Sequence, residues 1–113
     1  MKPQNEWTNF LSFFGSQNLD RPTRIGLFET VDGVTNDYWI ENGLPLKGID
    51  VDFNGRLPVV EIMLEGLTHV VRNVKGLRPI YSFDGNEEGM DIIDSGGATT
   101  ILRFDNGVST KEI

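Results

Sequence analysis

No cysteine occurs in the chain, and histidine occurs once, at His69. The first absence removes disulfides, thiol catalysis and every cysteine-based zinc or iron–sulfur site. The second removes any imidazole cluster. Basic residues are outnumbered, 10 against 17 acidic ones, for a net charge of −7. They are scattered, with no Lys/Arg stripe. That balance favours solubility and disfavours binding to nucleic acid phosphates or anionic lipid. No apolar run approaches membrane-spanning length, and the opening MKPQNEWTNF has no apolar h-region or cleavage site. A cytoplasmic protein is expected, with no nucleic acid and no membrane partner. No G-x-S-x-G elbow and no phosphate-binding loop is present.

With 113 residues the chain suffices for one domain with a modest core. Trp7, Phe10, Leu11 and Phe14 fall at i, i+3, i+4 and i+7, one apolar stripe. They predict a helix over about 5–14, capped by Asn5 and stopped by Gly15. So short a helix must dock, either as a plug over the sheet, the preferred reading, or as a partner-binding element.

Beyond it, turn signals recur every nine to twelve residues: Asp32-Gly33, Asn42-Gly43, Asn54-Gly55, Glu65-Gly66, Lys75-Gly76, Asp84-Gly85, Ser95-Gly96-Gly97 and Asn106-Gly107. This is the punctuation of a sandwich or barrel, not of βαβ units. It leaves about eight strands, at 23–30, 35–41, 46–53, 58–64, 67–72, 77–83, 89–94 and 98–104. The gaps are too short for crossover helices, so neighbouring strands should pair antiparallel. The expected fold is mainly β (α+β): one N-terminal helix on an antiparallel meander spanning about 23–104, curled or barrel-like, with a flexible tail over 105–113.

The stretch Leu44–Glu65, LPLKGIDVDFNGRLPVVEIMLE, looks like the central hairpin. Ile49, Val51 and Phe53 alternate with Asp50 and Asp52, and Asn54-Gly55 suits a type I′ turn. The same residues match D-x-D-x-N-G-x5-E, with Asp50, Asp52, Asn54 and Glu61 as oxygen donors of a calcium loop. Pro45, Gly48 and Pro58 contradict the flanking helices of such a loop, so a solvated acidic face beside a turn is preferred and calcium binding is the alternative.

Three further features carry chemistry on paper. His69 sits mid-strand, without the partners of a triad or metal cluster. Ile92-Ile93-Asp94-Ser95-Gly96 resembles the motif of retroviral-type aspartic proteases, in which two carboxylates share a proton. Asp94 would be the catalytic residue of a homodimeric hydrolase. The motif lies too late in the chain for that family, and a strand ending in a turn is the preferred account. Tyr38, Trp39, Tyr81 and Phe83 suit either core and rim packing, preferred, or a pocket mouth.

Several segments together resemble a bacterial domain-of-unknown-function family: Trp7-Thr8-Asn9-Phe10, Pro45-Leu46-Lys47-Gly48-Ile49, the run Val60 to His69, Arg72, and a closing Gly-x-x-x-x-Leu-Arg-Phe over Gly97 to Phe104. The resemblance implies a small stand-alone bacterial protein and no particular activity. It includes His69 and the Glu65-Gly66-Leu67 turn, but not the full calcium set or the Asp94-Ser95-Gly96 motif.

The functional expectation is a small acidic non-enzymatic binding module, with an unknown protein or small-molecule partner, as monomer or homodimer, and with no cofactor. Calcium binding and, third, the aspartic hydrolase are the alternatives.

Overall fold

A computed structural model describes residues 3–55 and 57–104. The tail 105–113 and the Asn106-Gly107 signal lie outside the described residues. Helix α1 (Pro3–Gln17) is followed by seven strands: β1 (Pro22–Val31), β2 (Val34–Asp52), β3 (Val59–Leu64), β4 (Leu67–Val71), β5 (Val74–Tyr81), β6 (Glu87–Asp94) and β7 (Ala98–Phe104). All pair antiparallel, in the order β4-β3-β2-β1-β7-β6-β5.

This order carries the architecture. β4 and β5 are consecutive in the chain yet lie at opposite edges of the sheet. Only Arg72 and Asn73 join them, so Val71 and Val74 are at most roughly 11 Å apart. A flat sheet of seven strands cannot bring its edges that close, so the sheet curls into a half-barrel. Asn73 adopts φ 57° to make the corner. The corner is tied by Val74 N–H donating to Pro58 O (3.0 Å) and Ser95 N–H donating to Asn73 O (2.9 Å).

The core lies on the concave face. Ile25, Leu46, Val60, Ile62, Val74, Met90, Ile92 and Leu102 are buried there, and Leu11 and Phe14 of α1 complete the same cluster. The predicted stripe is real, and the helix is the expected plug. Phe14 stacks on Phe104 of β7 with ring centroids 5.7 Å apart, and Trp7 meets Phe53 at 6.1 Å.

Both predicted helix ends are corrected. The helix starts upstream of Asn5, which therefore lies inside it. It runs through Gly15 to Gln17. Gly15 serves packing instead of stopping the helix: a Cβ there would stand 3.3 Å from the backbone N of Ile49. The bare Cα lets α1 lie directly on β2.

Three turn assignments also change. Asn42-Gly43 is no turn. β2 runs through it as one long strand, bent there with Gly43 at φ 109°, so the expected strands 35–41 and 46–53 are one and the count is seven. Lys75-Gly76 lies inside β5, the chain having already turned at Asn73. Asn54-Gly55 lies in a loop between the paired residues Asp52 and Val59, with neither residue at a left-handed φ. The type I′ geometry falls instead on Asp32 (φ 51°) and Gly33 (φ 80°), where both central residues need positive φ.

β2 changes partners along its length. Val34–Pro45 pairs with β1, and Leu46–Asp52 pairs with β3. Beside the first segment, the edge that faces away from β1 has no strand among the described residues. β7 pairs with β1 as far as Glu29, so Thr30–Thr35 at the end of the β1–β2 hairpin project beyond β7, and the stretch from Phe28 to Glu41 around them is termed the arm.

Candidate functional site

The arm, residues 28–41, holds six of the large apolar side chains that the fold leaves in solvent. Phe28, Val31, Val34, Tyr38, Trp39 and Ile40 are each between 41% and 59% exposed. Four acidic residues share it, Glu29, Asp32, Asp37 and Glu41, and no basic one. The pairing register sorts the side chains. Trp39 and Asp37 stand opposite Gly26 and Phe28 on the convex face, while Tyr38 and Val34 stand opposite Leu27 and Val31 on the concave side. Ile40 is the extra residue of a bulge, since Glu41 pairs with Ile25 and Trp39 with Gly26.

Trp39 is held in place from below and beside. Its ring covers Gly26, where a Cβ would come within 2.8 Å of Cε3. The Arg24 guanidinium lies 4.7 Å from its centroid. The ring is thus prearranged while half of it faces water. Scattered exposed apolar residues are ordinary, but exposed aromatics gathered on both faces of one hairpin mark a contact element.

A cleft of about 620 Å³ opens between the end of α1 and the β5–β6 hairpin. Three of its polar side chains, Asn18, Arg21 and Glu87, form one network. Buried Asn18 donates to Phe14 O (2.9 Å) and to Glu87 Oε1 (2.8 Å). Arg21 donates to Asn18 Oδ1 (2.8 Å) and Glu87 O (2.9 Å), with its guanidinium 4.3 Å from the Phe104 ring centroid. This network latches the helix to the hairpin. Its residues are far apart in sequence, and no motif pointed to it.

Asp91 is the buried carboxylate of the convex face. Its Oδ2 accepts from Arg78 at 2.7 Å. Arg103 Nη1 lies 2.9 Å from Oδ1, but its aligned hydrogen bond goes to Leu102 O, so Oδ1 is held by charge alone.

The four expected calcium ligands do not form a loop flanked by helices. Asp50 and Asp52 lie in β2, Glu61 pairs with Asp50 across the ladder from β3, and Asn54 follows in the loop. Asp52 is engaged locally: its Oδ1 accepts the Asn54 N–H at 2.8 Å. Among the described residues no group of three or more His, Asp or Glu side chains is gathered closely enough to hold a metal ion.

Asp94 ends β6, and its Oδ1 accepts the N–H groups of Gly96 (2.8 Å) and Ala98 (3.0 Å). It braces the turn that the preferred reading placed there. His69 is half-buried and pairs with Ile62. Burial holds its imidazole below the ordinary value of 6.5. Lys47 bridges Asp20 (2.7 Å) and Glu65 (3.7 Å), and its ammonium is raised chiefly by the hydrogen bond to Asp20.

The aromatics expected in core and rim packing lie at the rim or in solvent, with Phe83 beyond the end of β5, Tyr81 lining the cleft beside α1 and Tyr38 and Trp39 lining a shallow pocket on the hairpin. Tyr38, Trp39 and Tyr81 are each about half exposed, and Phe83 is fully so. No helix among the described residues is long and apolar enough to cross a membrane. The chain matches no protein-family model, and no curated protein or solved structure is significantly similar to it.

Proposed function

We propose that the protein is a small acidic, non-enzymatic binding module of the bacterial cytoplasm that contacts a protein partner through the β1–β2 arm. One observation carries this: the arm combines Tyr38, Trp39 and Phe28, all exposed, with a Trp ring pinned by Gly26 and Arg24. Aromatic side chains are enriched at the energetic centres of interfaces, and a ring ordered before binding loses little entropy on contact. The chemistry-bearing groups elsewhere serve the fold: Asp94 braces a turn, Asp91 pairs with arginines, and Asn18, Arg21 and Glu87 in the cleft beside α1 bond to one another.

The test is photo-crosslinking in bacterial cells that encode the protein, with benzoylphenylalanine at position 38 and, as control, at position 75 on β5. Discrete heavier adducts from position 38 alone support the reading. Adducts from position 75 but none from 38 would place the contact elsewhere and refute it.

A further inference from the structure

Building on that reading, we infer that the arm receives an extended segment of a basic protein, which adds as a strand to the free edge of β2 at Val34–Trp39.

Three features of this stretch combine. First, Val34–Trp39 pairs with β1 without interruption, and no described strand lies on its other side. Its outward N–H and C=O groups are therefore a template for a further strand. The bulge at Ile40 ends the regular stretch and sets its length. Second, the two faces of this edge differ. Thr35, Asp37 and Trp39 line the convex side, and Val34, Asn36 and Tyr38 the concave side. An added strand places alternate side chains against each. The convex row suits Arg or Lys, which can pair with Asp37. The concave row suits apolar residues packing on Tyr38 and Val34.

Third, charge selects the occupant. Acidic residues protect edges against pairing with like chains. A second copy would set Asp37 and its neighbours against the same acids in a chain of net charge −7. That disfavours self-association and favours a cationic segment. The expected partner sequence alternates basic and apolar residues over about six positions.

The experiment selects a random peptide display library against the full-length protein, then follows the enriched peptides by amide NMR of labelled protein. The inference expects peptides with alternating basic and apolar residues, shifts centred on residues 34–39, and affinity that falls with salt. Asp37→Lys should weaken binding about tenfold or more, while Asp84→Lys, the same charge change on a loop, should not. N-methylation of the peptide backbone should abolish binding at every second position only, the mark of strand pairing. Peptides that bind the arm but are not basic, or show no such alternation, overturn the inference and leave the arm as a contact surface. Peptides that map elsewhere, or an arm-mediated homodimer in sedimentation, overturn it as well; the first also counts against the proposed function.

Discussion

Phe13 and Phe14 are adjacent in one helix and have opposite fates, which makes the pair a sharp test of how the helix is used. Phe14 is wholly buried, stacked on Phe104 and tilted against Phe10 at 5.7 Å each, while Phe13 is 58% exposed. Truncating a buried phenylalanine removes its transfer free energy and leaves a cavity, for about 3–5 kcal/mol. That range applies here, because Phe104 is fixed in β7 and Phe10 lies one turn away on the same helix, so collapse onto the void is limited. A domain of this size has roughly 5–15 kcal/mol in total, so Phe14→Ala loses a large fraction of it. Phe14→Leu should cost about 1–2 kcal/mol. Phe13→Ala should stay within about 0.5 kcal/mol. Urea unfolding followed by far-UV circular dichroism gives all three values. At a slope of about 1–1.5 kcal/mol/M, Phe14→Ala moves the midpoint down by about 2–5 M. Equal costs for the two alanine variants would refute the plug, since the helix would then not present one face to the barrel.

Asp91→Ala strips the counter-charge from Arg103 and Arg78, and thermal melts should show a loss of about 1–3 kcal/mol, whereas Arg78→Ala, whose side chain is 64% exposed, should cost under about 1 kcal/mol. His69 gives a pH signature: its folded value is depressed, so its contribution is complete above pH 6.5 and is lost as pH falls below 6.5 toward the folded value. Urea midpoints of His69→Gln should therefore fall less than those of the wild type between pH 7 and pH 5; an identical fall would show that His69 is not desolvated. Glu61 faces Asp50 across the ladder, so Glu61→Gln should stabilise by a few tenths of a kcal/mol, and calcium at about 1 mM should leave the melting temperature of a chelator-treated sample unchanged.

What could be read from the residues followed from periodicity. The helical stripe, the period-2 strands and the regular turn signals specify a helix on a curled antiparallel sheet, and β7 was placed at its observed bounds. What could not be read followed from tertiary choice. A Gly after an Asn or Lys signals a turn only when the chain reverses there. At Gly43 the chain bends within β2 instead, and at Gly76 it is already in β5. Gly15 resembles a helix stop because the backbone of β2, which it accommodates, is distant in sequence. The arm was hidden for a related reason. Tyr38-Trp39-Ile40 is apolar on consecutive positions, a pattern that fits a strand buried on both faces as well as one exposed on both. Only the register, with β3 pairing β2 from Leu46 onward and no further back, leaves the outer edge of this segment without a described strand. The acidic run Asp50–Glu61 satisfied a calcium pattern by letters while its backbone was committed to two strands.

The central claim is that the arm's aromatics serve contact and not the stability of the fold. The urea unfolding free energy of the Tyr38→Ser, Trp39→Ser double variant tests it most directly. The account predicts a loss of no more than about 1.5 kcal/mol, covering the Arg24–Trp39 stack and residual apolar contact, with an unchanged circular dichroism spectrum. A loss of about 3 kcal/mol or more, on the scale of Phe14→Ala, would mean that these rings are packed as core, and the arm would cease to be a binding surface.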